Sequence, residues 1–124
     1  MARVLIVEDN PANMTLAAFL LQSVGHEVLK AVDAEAGIAL ARAEQPDLIL
    51  MDIQLPGMDG LQATALLKSD EKTRKIPVFA LTALAMKGDE ERIRAAGCDG
   101  YMAKPLRYQE FLAAIGDRLG APVR

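Results

Sequence analysis

The chain has 124 residues, of which 52% are hydrophobic and 25% are charged, and its formal net charge at pH 7 is −3. We expect one domain over residues 1–124, with no output domain, because this length supports a single core. The mildly acidic charge argues against nucleic-acid binding. With no membrane-length apolar stretch, no secretion signal and a single cysteine, we expect a cytoplasmic protein that does not bind membranes.

Apolar runs alternate with helix signals along the chain. Asn10-Pro11 is a typical helix start, and Gly25 is placed to end that helix in a left-handed conformation. The charged segment from Asp70 to Lys75 is expected to be a solvated loop. The sequence predicts strands at residues 2–7, 27–32, 48–52, 77–81 and 101–103, and helices at residues 11–24, 34–44, 60–69 and 87–96 and through Leu112, Ile115 and Leu119.

Short strands that alternate with helices, without hairpin turns between them, predict a parallel sheet. Helices then cover both faces of the sheet, and right-handed crossovers make the fold doubly wound, an α/β three-layer sandwich. In such folds the ligand site lies beyond the carboxyl ends of the strands, where the strand order reverses. Polar residues at those ends are therefore the candidates for function.

Four of the five predicted strands end on such residues: Glu8 and Asp9, then Asp52, Thr82 and Lys104. Three neighbouring carboxylates repel one another and require a shared cation or a shared proton. A site of few carboxylates that keeps its waters suits Mg²⁺. The lysine and the threonine hydroxyl would donate to a phosphoryl group, and the Asp52 carboxylate could attack phosphorus to form an aspartyl phosphate.

Each of these residues also has a plainer interpretation. Glu8 and Asp9 could only cap the helix that follows them, and Asp52 could only begin a loop. Thr82 could be an ordinary hydroxyl at a strand end, and Lys104 a surface lysine. Their joint occurrence at four strand ends favours the single site. His26 is expected to be an exposed loop residue.

The candidate residues lie within four longer motifs: Val7-Glu8-Asp9-Asn10, Leu50 to Gly60, Leu81-Thr82-Ala83 and Tyr101 to Pro105. Together these motifs resemble the receiver domain of two-component response regulators, over nearly the whole chain. The resemblance implies the flavodoxin-like (βα)5 form of the fold, with strand order 2-1-3-4-5. The segment that contains Ala85 to Arg92, followed by Gly97-Cys98, is most similar to receivers without an output domain that act in cell division.

The resemblance implies a role for each site residue. Asp52 would be the phosphoacceptor, Lys104 and Thr82 would contact the phosphoryl group, and Thr82 with Tyr101 would form the switch. Mg²⁺, or Mn²⁺ as a substitute, would be bound by Glu8, Asp9, Asp52 and the backbone carbonyl of Gln54. The Ala83 N–H would donate to the phosphoryl group, and the peptide bond between Lys104 and Pro105 would be cis. Met14 would contribute to docking of the phosphodonor.

The resemblance also implies the partners. A histidine kinase or a histidine phosphotransfer protein would donate the phosphoryl group, and a downstream protein would bind the face formed by the fourth helix, the fifth strand and the last helix. We expect a monomer or weak dimer that catalyses only its own phosphorylation and dephosphorylation. Leu84 offers no hydrogen-bonding group, and we expect it to slow the dephosphorylation. The alternatives are a phospho-aspartyl hydrolase acting on external phosphoesters, which would carry an acid at the position of Gln54, and a degenerate scaffold.

Overall fold

The sheet is built from five short parallel strands, each connected to the next by a helix. The computed structural model describes residues 2–83, 87–104 and 106–119, with side chains described for all of these except 87–89, 118 and 119. Within these residues no helix is both long and apolar enough to cross a membrane. The elements are β1 (Arg3–Val7), α1 (Pro11–Ser23), β2 (Glu27–Ala31), α2 (Ala34–Glu44), β3 (Leu48–Asp52), α3 (Gly60–Ser69), β4 (Val78–Thr82), α4 (Lys87–Ala95), β5 (Gly100–Ala103) and α5 (Tyr108–Leu119).

The strand order is β2-β1-β3-β4-β5, and every neighbouring pair is parallel. The predicted fold class and strand order are therefore confirmed. The chain passes from β1 outward to β2, returns to the other side of β1 for β3, and then moves away through β4 and β5. The strand order thus reverses between β1 and β3, where Val7 pairs with Met51. This reversal places the residues that follow β1 next to the end of β3.

Two hydrophobic clusters cover the two faces of the sheet. One contains buried residues of α2, α3 and α4, including Ala41, Leu67 and Ile93. The other contains buried residues of α1 and α5, including Leu21 and Ile115. All five residues of β3 are buried, as a continuous apolar run on a central strand requires. β3 is therefore a firm support for the carboxylate at its end.

The predicted start of α1 is confirmed by its cap. Asn10 Oδ1 accepts from the N–H groups of Ala12 and Asn13, at 2.9 and 3.1 Å, and Pro11 occupies the first helical position. Gly25 has the predicted positive φ, 91°, just after α1. These local signals place the start of α1 directly after the acidic residues that follow β1.

Strand boundaries differ from the prediction by one residue at several ends. β2 ends at Ala31, which pairs with Val7 at the end of β1, and Val32 lies beyond the paired residues and is 63% exposed. β4 begins at Val78 instead of Pro77, whereas its predicted end at Thr82 is confirmed, since Thr82 pairs with Ala103 of β5. These boundaries depend on how many residues of the neighbouring strand are available for pairing. That number cannot be predicted from the sequence of one strand alone.

Two other predictions are wrong in part. The segment from Asp70 to Lys75 is not wholly solvated, because Thr73 is buried and its hydroxyl donates to Leu67 O at 2.7 Å. His26 is half-buried instead of exposed, and its Nδ1 accepts from the Ala2 N–H at 3.3 Å. In both cases a polar side chain satisfies backbone groups of another segment. The predicted inward position of Leu119 lies outside the described side chains.

Candidate functional site

The carboxyl ends of β1, β3 and β5 bring one lysine between two carboxylates. Lys104 Nζ lies 2.8 Å from Glu8 Oε1 and 3.1 Å from Asp52 Oδ2. Asp9 completes the cluster, since one carboxylate oxygen from each of Glu8, Asp9 and Asp52 lies within 4.8 Å of the others. The structure therefore assembles one site from residues more than 40 positions apart in the chain, as the strand ends predicted.

Backbone contacts hold Glu8 in place at the end of β1. Its N–H donates to Ala31 O at 3.0 Å, which continues the pairing of β1 with β2. Its Oε2 accepts from the Asn10 N–H at 3.2 Å, so the start of α1 orients the carboxylate. Glu8 is buried, whereas Asp9 is exposed. The acidic pair thus offers one buried and one solvent-facing carboxylate.

Asp52 is the last residue of β3 and is 3% exposed. Its two carboxylate oxygens have different partners. Oδ1 accepts from the Gln54 N–H at 3.1 Å, and Oδ2 faces the Lys104 ammonium. The Ile53 N–H donates to Leu81 O of β4 at 3.1 Å, and beyond this hydrogen bond the chain leaves the sheet. These contacts fix both the backbone and the carboxylate plane of Asp52.

Lys104 follows β5 immediately and is held by β4. Its N–H donates to Thr82 O at 2.8 Å, and its side chain is only 16% exposed. Burial by itself would lower the pKa of Lys104, but the contacts with Glu8 and Asp52 outweigh burial and raise this pKa above its usual value. The side chain is therefore a permanent positive charge at the site.

The pKa of the Glu8 carboxyl is raised above its usual value. Burial raises the pKa of its carboxyl, and Asp52 raises it further, while Lys104 and the Asn10 N–H oppose the shift. The Lys104 ammonium is close to Glu8 Oε1 but not aligned as a hydrogen-bond donor, so this buried oxygen lacks an aligned donor. A carboxylate in this condition gains from any additional positive charge nearby.

The donor set fits Mg²⁺. Its ligands are hard carboxylate oxygens, they are few, and the exposed Asp9 leaves room for metal-bound water. The cluster holds three carboxylates, whereas Lys104 supplies one positive charge, so Lys104 balances only part of the anionic charge. The acidic cluster expected from the sequence is thus present and compatible with a divalent cation.

The other predicted site residues have different outcomes. Thr82 is 4% exposed at the end of β4, and Ala83 is exposed next to it. Tyr101 is half-buried and packs against the hydrophobic cluster on the face of α2, α3 and α4. For Gln54 the described contact is its N–H to Asp52, and its carbonyl role stays a prediction. Leu84 and Pro105 lie outside the described residues.

Met14 requires a correction. Its side chain is buried in the core between α1 and the sheet, so it cannot form an exposed docking contact. The exposed large apolar residues of α1 are Leu16 and Phe19, at 40% and 65% exposure. They line a shallow groove with Pro11, Ala12 and Thr15. Met14, Ala17 and Leu21 lie on the buried stripe, so apolar residues off that stripe were the signal for this surface.

A second group of charged residues was missed from the sequence. Lys68 Nζ donates to Ile76 O at 2.8 Å, to Asp99 Oδ2 at 2.9 Å and to Arg74 O at 3.3 Å. Asp99 Oδ2 also accepts from the Val78 N–H at 2.8 Å. This network joins the carboxyl end of α3 to the starts of β4 and β5. It therefore lies at the amino ends of the strands, opposite to the end that carries the carboxylates.

Comparisons with known proteins agree with this geometry. A family model described as a response regulator receiver domain matches residues 4–116. The polar-differentiation response regulator DivK of Brucella ovis is 50% identical over 117 residues, which cover 94% of this chain and 95% of that protein. DivK of Brucella anthropi has the same identity and coverage.

Solved structures of similar fold extend over nearly the whole chain. The receiver domain of a sensor histidine kinase from Pseudomonas aeruginosa, with a magnesium ion coordinated in its active-site cleft, has a TM-score of 0.89 and 37% identity, covering 97% of this chain and 98% of that one. The chemotaxis protein CheY4 of Vibrio cholerae has a TM-score of 0.88 and 27% identity, covering 96% and 98%.

Proposed function

Because this chain belongs to the response regulator receiver domain family, we propose that Asp52 accepts a phosphoryl group from a phosphohistidine. The observation that carries this assignment is the ion-paired cluster of Glu8, Asp52 and Lys104 at the ends of three strands. Receivers form a signalling family, and this chain is a receiver of a two-component phosphorelay. Its output is a protein contact that depends on the phosphorylation state.

The proposed transfer uses the Asp52 carboxylate as the nucleophile. One of its oxygens forms a bond to phosphorus, and the bond from phosphorus to the donor imidazole nitrogen breaks. The departing nitrogen keeps the electron pair of that bond and takes a proton from solvent. The Gln54 N–H and the Lys104 ammonium hold the carboxylate at 3.1 Å each, which fixes its approach. After the transfer, the ammonium is placed to donate to a phosphoryl oxygen.

Glu8, Asp9 and Asp52 would hold Mg²⁺, or Mn²⁺ in its place, together with the backbone carbonyl of Gln54. When bound, the ion lowers the repulsion between the acidic cluster and the incoming phosphoryl group. The buried Glu8 carboxylate and the exposed Asp9 carboxylate differ in their surroundings, so we propose that Asp9 is the more direct ligand. Glu8 then orients Lys104 and balances its charge.

We propose that Thr82 and Tyr101 convert phosphorylation into a change of surface. The Thr82 hydroxyl would move toward the phosphoryl oxygens, and the half-buried Tyr101 ring would turn into the space that it leaves. The face formed by α4, β5 and α5 would then favour its second arrangement and bind a downstream protein. The likeness to DivK supports a role in cell division or cell polarity.

The phosphodonor would dock next to the site. Leu16 and Phe19 expose apolar surface on α1, which begins just after Asp9. We propose that a helix of a histidine kinase or histidine phosphotransfer protein covers this surface, which would place its phosphohistidine over Asp52. Because such donors obtain phosphoryl groups from ATP, we propose that the reaction takes place in the cytoplasm. We propose a monomer or weak dimer.

Phosphotransfer profiling tests the proposal. The chain is incubated with phosphorylated histidine kinases and phosphotransfer proteins of the source organism, with Mg²⁺ and with excess chelator. We expect labelled protein from at least one donor only with Mg²⁺, and none in the Asp52→Asn variant. Label retained by that variant would refute the assignment of Asp52, and the absence of label from every donor would refute the receiver function.

A hydrolase of the phospho-aspartyl type is the second candidate. Its support is the same nucleophile geometry at Asp52. Against it, Gln54 stands where such enzymes carry a second acid, so no carboxylate is present there to activate water. Steady release of phosphate from p-nitrophenyl phosphate, at many turnovers per protein molecule, would favour the hydrolase. Release limited to one equivalent or less would exclude it.

A further inference from the structure

Gly60 lies at the first position of α3, directly against the end of β3. A Cβ at this position would overlap the Asp52 carbonyl oxygen and would lie 2.8 Å from Ile53 Cα. Both of these atoms belong to the backbone, so neither can move aside by a side-chain rotation. By contrast, a Cβ on Gly57 of the same loop would meet nothing within 4 Å. Glycine is therefore required at residue 60 for space.

The backbone conformation gives no other reason for this glycine. Among the described residues, the glycines with positive φ are Gly25, Gly57 and Gly97, and Gly60 is not one of them. Within an ordinary helix, alanine is favoured over glycine. A glycine in a conformation that alanine tolerates, pressed against two backbone atoms, indicates close packing of α3 on the phosphoacceptor strand.

Hydrogen bonds hold this contact in place. The Gly60 N–H donates to Ile53 O at 2.9 Å, which closes the loop between β3 and α3. Thr64 is fully buried, and its hydroxyl donates to Gly60 O at 2.8 Å. Asp59 and Gln62 form a capping box that fixes where α3 begins. The first turn of α3 is thus tied to the loop that carries Gln54.

We propose that Gly60 is a positioning residue for Asp52 and for the Gln54 backbone, and that the buried Thr64 hydroxyl supports it. The inference rests on the proposed function, since it concerns the same carboxylate. A side chain at residue 60 displaces either the end of β3 or the start of α3. Either displacement moves the Asp52 carboxylate away from Lys104 and changes the loop that would contribute a metal ligand.

The test compares Gly60→Ala with Leu67→Ala in the full chain. Leu67 is buried in the same helix but belongs to the hydrophobic cluster, so its truncation weakens the fold without contacting Asp52. Mg²⁺ affinity is measured by titration calorimetry, phosphorylation by acetyl phosphate gives KM and the maximal rate, and urea unfolding gives the stability. All measurements are made where both variants are fully folded.

We expect Gly60→Ala to weaken Mg²⁺ binding and to lower the maximal rate by about tenfold each, with a smaller change in KM, because small misplacement of a reacting group is costly. Leu67→Ala should retain Mg²⁺ affinity and rate within about twofold. Values near wild type for Gly60→Ala, or equal losses in both variants, would overturn the proposal. If wild type itself accepts no phosphoryl group, the proposed function fails instead.

Thr64→Val provides a second variant if Gly60→Ala does not fold. It keeps the shape of the side chain and removes the hydrogen bond to Gly60 O at 2.8 Å, together with the weaker contact from Cys98 Sγ at 3.8 Å. We expect Mg²⁺ affinity to fall by about threefold, because the first turn of α3 loses one support. Unchanged Mg²⁺ affinity in folded Thr64→Val would refute the role of this turn in positioning the site.

Discussion

The ammonium of Lys104 lies 3.1 Å from Asp52 Oδ2, so the proposed phosphoacceptor forms an ion pair with a lysine of the same domain. The same ammonium lies 2.8 Å from Glu8 Oε1, and all three side chains are at most 16% exposed. One lysine therefore offsets only part of the negative charge of two buried carboxylates. The stability of the fold and the affinity for a cation become linked, because both depend on how this negative charge is neutralised.

Replacing Lys104 with methionine should lower the stability of the protein when a chelator removes Mg²⁺. Mg²⁺ should then stabilise this variant more than it stabilises wild type. Two buried carboxylates would lose their cation, at a cost of about 3 kcal/mol. Mg²⁺ would then recover part of the loss, because it neutralises the same carboxylates. Urea unfolding followed by circular dichroism, with Mg²⁺ and with chelator, measures both effects.

The exposed Lys72 supplies the control for charge. Lys72→Met removes the same formal charge from the surface and should change neither quantity by more than about 0.5 kcal/mol. Equal stabilisation of wild type and Lys104→Met by Mg²⁺ would contradict the linkage between lysine and cation.

Replacing Phe19 with glutamate should impair phosphotransfer from a protein donor. Phe19 is 65% exposed, so the fold loses little, but a charge at the centre of an apolar contact should cost about 2 kcal/mol of binding. We expect the KM for a phosphorylated phosphotransfer protein to rise about thirtyfold, while phosphorylation by acetyl phosphate is unchanged.

Leu66→Glu is the matched control for Phe19. Leu66 is 48% exposed on α3, which covers the opposite face of the sheet from α1. Phosphotransfer to this variant should keep the wild-type KM. Similar KM values for Phe19→Glu and Leu66→Glu would show that α1 does not dock the donor.

Stability should fall as the pH decreases through the titration of His26. Burial lowers the pKa of His26, so the folded state binds this proton less readily than the unfolded chain does. The contribution of His26 is therefore fully present above its unfolded pKa of 6.5 and is lost as the pH falls through the lower folded pKa. The neutral ring is also the form whose Nδ1 accepts from the Ala2 N–H.

The variant His26→Asn isolates this effect. Asparagine retains an oxygen that can accept from the Ala2 N–H but does not titrate in this range. Between about pH 5 and pH 7.5, wild type should lose stability with acid more steeply than His26→Asn, as measured by urea unfolding. Parallel curves for the two proteins would refute a contribution from His26, whatever the carboxylates contribute to both.

Replacing Lys68 with methionine should weaken the fold and spare the site. The ammonium donates to three acceptors near the starts of β4 and β5, and their loss should cost about 2 kcal/mol. These acceptors lie at the amino ends of the strands, away from Asp52. We expect a lower urea midpoint with Mg²⁺ affinity within about twofold of wild type. A large loss of Mg²⁺ affinity would show that this network also supports the site.

The sequence predicted the fold class because its signals are local. The five buried residues of β3 read as a central strand, and Asn10-Pro11 marked the start of α1. Some predicted strand boundaries differ from the observed ones by one residue. At Val32, for example, the length of the neighbouring strand decides where pairing stops. Burial of Thr73 and His26 was missed, because each satisfies backbone groups of another segment.

By itself, the sequence determined that acids, a threonine and a lysine stand at the ends of buried strands, because strand period and turn chemistry are properties of neighbouring residues. Only the tertiary structure decided that Lys104 bridges Glu8 and Asp52, and that α3 packs on Asp52 with no room for a side chain at Gly60. Such contacts join segments far apart in the chain. Sheet register and helix packing set their distances, and no local pattern contains them.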